Sequence, residues 1–245
     1  MKGGGQMRID KLLANLGFGS RKEVKKLLKD GAVRVNDVII KDAKEHVDPQ
    51  KDRVTLNGET IEYKEFIYLM MNKPPGVLSA TEDYAGETVI DLLEMEDQVY
   101  EPFPVGRLDK DTEGLLLITN DGQLAHRLLS PKKHVPKTYF AVIDGEVTES
   151  DIDAFGRGVT LDDGYETKPG QLKILKSGIR SDIELTITEG KFHQVKRMFE
   201  AVGKRVVYLK RISMGSLLLD ETLELGEYRE LTDEEVEMLR DYQVK

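Results

Sequence analysis

Residues 106–122 read Gly-Arg-Leu-Asp-Lys-Asp-Thr-Glu-Gly-Leu-Leu-Leu-Ile-Thr-Asn-Asp-Gly, which sets Asp109 on a polar turn running into the apolar stretch 115–118. A turn that leads into a buried strand can hold one carboxylate at the mouth of a cleft. Arg107 and Lys110 flank Asp109, and neighbouring cations favour the ionised form that acts as a nucleophile or base. Asp111 reads as a turn residue beside Thr112, since two side chains this close give no reason to expect the separation that glycoside hydrolysis needs. His193 has no acid near it in sequence and reads as a structural hydrogen-bonding residue, while His126 and His134 show no metal-ligand spacing. The absence of cysteine excludes a disulfide framework, a thiolate metal site and a cysteine nucleophile. There is no phosphate-binding glycine loop and no dinucleotide fingerprint.

The elements that must position Asp109 fall into two parts, as a chain of 245 residues allows. Ile9, Leu12, Leu13 and Leu16 repeat at helical spacing before Gly17. Ser20 and Glu23 then form a capping box for a second helix whose apolar stripe is Val24, Leu27 and Leu28. Its other face carries Arg21, Lys22, Lys25, Lys26 and Lys29, which cannot all turn inward and suit phosphate oxygens. Short strands around Asn36-Asp37 and before Asn57-Gly58 complete a small α/β module. Beyond it, residues 67–71 form an apolar strand stopped by Asn72-Lys-Pro-Pro-Gly76, and the Met70-Met71 pair belongs to the core. Residues 79–88 are polar and aperiodic and read as a mobile loop that closes over a substrate. Residues 138–143 and 183–187 alternate as sheet strands, and 191–203 read as a helix with Val195, Met198, Phe199 and Val202 inward and Lys196 and Arg197 pointing elsewhere. A strand over 206–209 follows, and Thr232 with Glu235 opens a final helix.

The net charge of −9 argues against a polyanionic partner until its distribution is read. Residues 1–62 carry thirteen Lys and Arg against ten Asp and Glu, net +3, leaving −12 for the rest. Within that acidic remainder, residues 190–211 hold seven basic groups against the single acid Glu200. Charge gathered locally is what a nucleic-acid footprint requires. No apolar run approaches the roughly 20 residues needed to span a bilayer. The opening six residues lack the apolar core of a signal peptide and read as a flexible tail, so a cytoplasmic protein is expected.

Four segments together resemble the pseudouridine synthases, and most closely the RsuA family that modifies small-subunit ribosomal RNA. They are Asn72-Lys-Pro-Pro-Gly76, Gly106 to Gly122, Lys137-Thr-Tyr139, and residues 189–198 with their continuation to Gly215. Residues 7–60, from Arg8-Ile-Asp-Lys-Leu-Leu to Gly31-Ala-Val-Arg-Val-Asn36 and the strands after it, resemble the S4-type RNA-binding domain. The resemblance implies an α+β protein. After the tail 1–6, the RNA-binding domain occupies 7–60, and a catalytic domain over 63–245 is built on a mixed, mainly antiparallel sheet flanked by helices and loops.

The resemblance also implies that Asp109 is the essential catalytic residue and that Tyr139 stacks on the target base. Lys196, after His-Gln-Val, pairs with the carboxylate; many relatives outside this branch have Arg there, which keeps Arg197 as the other candidate. Arg107 joins these as a catalytic residue. Arg21, Lys22, Lys25, Lys26 and Arg34 are expected to bind folded RNA through the S4-type domain, and Lys73, Lys191, Gln194, Arg197 and Arg211 to meet it in the catalytic domain. Isomerising uridine breaks the N1 bond to ribose and reconnects the base through C5, so no cofactor, metal or nucleotide triphosphate is expected. The expected partner is ribosomal RNA or an assembling subunit, bound by a monomer, with 16S RNA favoured over 23S RNA. The alternative from another class is a noncatalytic RNA-binding or assembly protein, against which the joint presence of Asp109, Tyr139 and Lys196 argues.

Overall fold

The computed structural model describes residues 6–49, 51–62 and 64–242. The expected tail lies outside them except for Gln6. Two compact units are present, and the division does not fall at one point in the sequence. The first unit runs to Ile67 and also takes in Leu93–Pro102; the second comprises Tyr68–Leu92 and everything from Phe103 onward. The boundary read near residues 60–63 therefore misses one excursion of the chain.

The first unit contains β1 (Met7–Arg8), α1 (Ile9–Asn15), α2 (Arg21–Lys29), β2 (Val33–Val35), β3 (Val38–Ile39), β4 (His46–Val47), β5 (Val54–Leu56), β6 (Glu59–Thr60) and α3 (Met95–Gln98). Strands β3-β2-β5-β6 make an antiparallel sheet, and β1 pairs with β4. Ile9, Leu12, Leu13, Val24, Leu28, Val33, Val47 and Val54 form one buried cluster, as their helical and alternating spacing requires. The α2 capping box is present: Ser20 Oγ accepts from Glu23 N, and Glu23 Oε2 accepts from Ser20 N at 2.7 Å. Arg21, Lys22, Lys25, Lys26 and Lys29 are all exposed, as is Arg34 on β2.

The second unit contains β7 (Tyr68–Lys73), β8 (Phe103–Pro104), β9 (Glu113–Thr119), α4 (Gly122–Leu129), β10 (Lys137–Asp144), α5 (Glu149–Arg157), β11 (Gln171–Lys176), β12 (Arg180–Ile187), α6 (Gln194–Ala201), β13 (Arg205–Met214), β14 (Leu217–Leu218), β15 (Tyr228–Glu230) and α7 (Asp233–Arg240). The sheet order is β11-β12-β10-β13-β9-β7-β15, antiparallel throughout except where β9 lies parallel to β13. Every residue of β7 and nearly every residue of β9 is buried, and their central stretches, residues 68–71 and 115–118, read as continuous apolar runs. Strands β10 and β12 alternate, with Tyr139, Ala141, Ile143 and Ile183, Leu185, Ile187 turned inward.

Three local expectations change. Helix α6 begins at Gln194, not at 191, because His193 adopts a left-handed φ of +47° ahead of it. The strand expected over 206–209 extends through Arg205–Met214. The segment 79–88 is anchored at both ends: Ser79 Oγ donates to Leu108 O at 3.0 Å and accepts from Leu108 N at 3.1 Å, and Thr88 is fully buried and bonded to Asp91.

Candidate active site

Asp109 sits on the turn that enters β9, closed by a bond from Thr112 N to Asp109 O at 3.0 Å. This turn is held from beneath by Lys73, the last residue of β7, which pairs with Gly114 across the sheet. Lys73 is fully buried, and its ammonium donates to the carbonyls of Pro74 (2.9 Å), Thr112 (3.0 Å), Asp109 (3.2 Å) and Lys110 (3.4 Å). Burial pushes this ammonium down to about 8, against the pull of Asp111, Asp109 and Glu113. Lys73 is therefore a scaffold cation. The expectation that it meets RNA is corrected, because all its donors are spent on backbone. Ser79 fixes the same turn from the other side through Leu108.

The cation at the Asp109 carboxylate comes from α6. Lys196 Nζ lies 3.1 Å from Asp109 Oδ2 and 2.6 Å from Asp111 Oδ1, so one ammonium bridges both acids. Burial works to lower the Lys196 ammonium, but its hydrogen bonds to Asp111 and Asp109 outweigh this and hold it above lysine's ordinary value. The hydrogen bond from Lys196 holds the Asp111 carboxyl below its ordinary range. Asp111 is thus more than a turn residue. Arg197 points away from the cleft to Asp162 and Asp163, at 2.5 and 2.7 Å. Of the two candidates it is Lys196 that reaches Asp109, and Arg197 spends its charge on a neighbouring acidic loop. Neither sequence neighbour of Asp109 pairs with it: Arg107 and Lys110 are exposed, and no ion pair involves them among the described residues.

His193 Nε2 stands 3.6 Å from Asp109 Oδ1, and its ring stacks on Phe192 with centroids 3.7 Å apart. Sequence reading missed this proximity because the acid lies on a different element, 84 positions earlier. Tyr139, from β10, lines the same narrow cleft of about 60 Å³, with Leu209, Val195 and Ile187 supplying apolar walls. A register shift between Thr138 and Tyr139 in the β10–β13 pairing sits at this point of the sheet. Asp109, Lys196 and Tyr139 are thereby brought together from three separate segments, with Arg107 at the rim.

The remaining expected contacts divide. Lys191 is exposed at the cleft, with its ammonium 4.4 Å from the centre of the Tyr165 ring. Gln194 is buried, donating to Glu189 Oε1 at 2.6 Å and accepting from Lys191 N at 2.8 Å. Arg211 is 2% exposed and donates through Nε to Leu115 O at 2.8 Å. Of the seven basic groups in 190–211, Arg211 is thus interior rather than on an exposed face. Among the described residues no group of three or more His, Asp or Glu is arranged to hold a metal, and no helix is long and apolar enough to cross a membrane.

A carboxylate paired with an ammonium beside an aromatic ring in an apolar-walled cleft can attack or deprotonate a ribose while the ring holds the detached base. Comparison with known proteins gives the family. Residues 67–201 match the RNA pseudouridylate synthase family, and residues 7–54 match the S4 domain. An uncharacterized RNA pseudouridine synthase of Bacillus subtilis (strain 168) is 60% identical over 97% of this chain and 100% of its own length. The ribosomal small subunit pseudouridine synthase A of Vibrio cholerae is 44% identical over 94% of this chain and 98% of its own. The ribosomal large subunit pseudouridine synthase B of B. subtilis is 39% identical over 95% of both. A crystal structure of a pseudouridylate synthase superposes with a TM-score of 0.67 at 37% identity, covering 95% of this chain and 99% of that one. The chain belongs to the RNA pseudouridylate synthase family, isomerases of uridine in RNA, and carries an S4 domain at its N-terminal end.

Proposed function

We propose that the protein isomerises one uridine of 16S ribosomal RNA, in the cytoplasm and as a monomer, with Asp109 as the catalytic carboxylate. The observation that carries this is the Asp109–Lys196 pair at 3.1 Å beside Tyr139. Asp109 attacks the ribose or removes a sugar proton, and the N1 bond to ribose breaks. Tyr139 retains the freed uracil by stacking, an interaction of about 1–3 kcal/mol. The base turns, C5 bonds to the ribose as the Asp109–ribose bond breaks or the abstracted sugar proton returns, the C5 proton is lost and N1 gains one. Nothing is oxidised, and of the nucleoside only the C5 proton goes to solvent, replaced by the one gained at N1. Lys196 orients the carboxylate and offsets its charge, while Arg107 and Lys191 at the rim meet the strand. The target must leave its stack to reach this cleft. The exposed α2 face, Arg21, Lys22, Lys25 and Lys26, with Arg34 beside it, supplies affinity through phosphate contacts. The 44% identity to a small-subunit enzyme, against 39% to a large-subunit one, supports 16S RNA.

The test is a pseudouridine map of 16S and 23S RNA from cells with wild-type protein, Asp109→Asn or no copy, read by carbodiimide-dependent primer-extension stops. One 16S uridine should lose its mark in both altered strains. A mark lost from 23S RNA instead reassigns the target. If every mark persists while the protein still binds ribosomal RNA, the catalytic reading fails and the noncatalytic one replaces it.

A further inference from the structure

Next to the Asp109 cleft lies a second, larger cavity of about 260 Å³ that shares Arg107, Tyr139, Gly190 and Lys191 with it. Two cations line its interior, Lys137 on β10 and Arg211 on β13. The Arg211 guanidinium is almost wholly buried, yet only Nε has a protein partner. Both η nitrogens lack one among the described residues, and Nη2 is inaccessible to solvent. Lys137 donates only to Val135 O, at 3.0 Å. The two are close enough for Arg211 to add to the effect of burial, and together they push the Lys137 ammonium down to about 8. Neither has a carboxylate partner.

The one acid in the wall, Glu189, is committed elsewhere: its oxygens accept from Lys168 N, Gln194 Nε2 and Tyr165 OH. Lys168 adds a further cation, its ammonium 2.9 Å from His134 Nδ1. An interior guanidinium whose Nη2 is buried with both N–H bonds unmade costs stability unless something occupies them. Five cations around one spent carboxylate make that occupant an anion, and the guanidinium fork suits two oxygens of a phosphate.

We propose that this cavity is a phosphate pocket: Arg211 and Lys137 grip the backbone phosphate next to the target uridine while its base enters the neighbouring cleft against Tyr139. The inference rests on the RNA reading above. It makes Lys137 and Arg211 positioning residues that set the depth to which the strand enters, since the phosphate is bonded to the same ribose on which the chemistry occurs.

Two measurements on the full-length protein test it. The first needs no RNA: inorganic phosphate is titrated against chloride at constant ionic strength and followed by ³¹P NMR. Saturable binding is expected for wild type and its loss in Lys137→Gln and in Arg211→Lys. The second uses substrate RNA with a single neutral methylphosphonate at either phosphate flanking the target. One position should raise the wild-type KM about tenfold, about the equivalent of one lost hydrogen bond to a charged group, with kcat kept. Lys137→Gln should show the same rise on natural RNA and little more on that methylphosphonate. Arg211→Lys tests the fork, and Lys137→Gln keeps the inference open to refutation if removing the Nε bond to Leu115 unfolds the chain. Phosphate binding no stronger than chloride, or independent effects of Lys137→Gln and the methylphosphonate, overturns the pocket. Phosphate binding by a protein that isomerises no uridine supports the pocket and sinks the RNA reading.

Discussion

Replacing Lys73 with methionine should disable the turn that carries Asp109 without touching any group proposed to meet substrate. The side chains are similar in length, so the cavity stays filled, but the carbonyls of Pro74, Asp109, Lys110 and Thr112 lose their common donor. Three of the four bonds are 3.2 Å or shorter, and hydrogen bonds to a charged group contribute roughly 1.5–3 kcal/mol each. Against this stands the net penalty on the charged form, burial less the pull of Asp111, Asp109 and Glu113, which is about 3 kcal/mol for a group brought from lysine's ordinary 10.5 to about 8. Water reaching part of the relaxed turn offsets some of the remainder, so a net loss of about 3 kcal/mol is expected. Since reacting groups misplaced by about 1 Å lose on the order of 100-fold in rate, kcat should fall by that order while RNA affinity changes little. Urea unfolding gives the first quantity; single-turnover tritium release from 5-tritiated uridine RNA gives the second. A variant within about 0.5 kcal/mol of wild type in stability, with an unchanged rate, would show that the carbonyl cage does not position Asp109.

Other consequences are equally direct. Lys196→Gln removes the ammonium shared by Asp109 and Asp111 and should reduce kcat by about 100-fold or more, a loss of the order seen when a preorganised charge partner is deleted. Gly114→Ala builds a Cβ into the backbone of Arg211 at a residue with φ of +100°, so β9 must separate from β13; a fall of several degrees in melting temperature with loss of activity is expected. Exchanging Lys25 and Lys26 for glutamine should weaken RNA binding and flatten the salt dependence by about two phosphate contacts' worth in filter-binding assays. As pH rises through about 8, free Lys137 loses its charge, and a proton must then be taken up to hold a phosphate. Affinity for RNA should therefore decline with pH above about 8 in wild type and more shallowly in Lys137→Gln.

Much of this arrangement is legible in sequence, because local rules act on neighbouring residues. The Ser20–Glu23 box, the apolar β7 stopped at Pro74, the alternation of β10 and β12, and the inward Val195, Met198 and Phe199 all follow from periodicity and caps. What is not legible is burial of charge. Lys73 and Arg211 look like any basic residue in a string of letters, and only closure of the sheet over them makes one a scaffold and the other an unpaired interior cation. Pairing across distance is hidden from local rules for the same reason: only the family resemblance points from Asp109 to Lys196, nothing points to His193, and the adjacent Arg107 and Lys110 invite a pairing that does not occur. Sequence reading also overlooked the passage Leu93–Pro102, whose few apolar residues belong to the first unit.

The parallel contact of β9 with β13 also sets the order in which activity can appear. Glu113 meets Lys210 and Gly114 meets Arg211 across nearly a hundred residues, whereas the β10–β12 and β11–β12 ladders join segments much nearer in sequence. Closing so long a loop is slow relative to forming local hairpins. Until it closes, Arg211 cannot reach Leu115, and the helix carrying Lys196, which leads directly into β13, is not fixed against Asp109. A refolding chain should thus regain most of its strand signal before it regains any turnover, and recovery of activity should lag behind the β10–β12 and β11–β12 ladders.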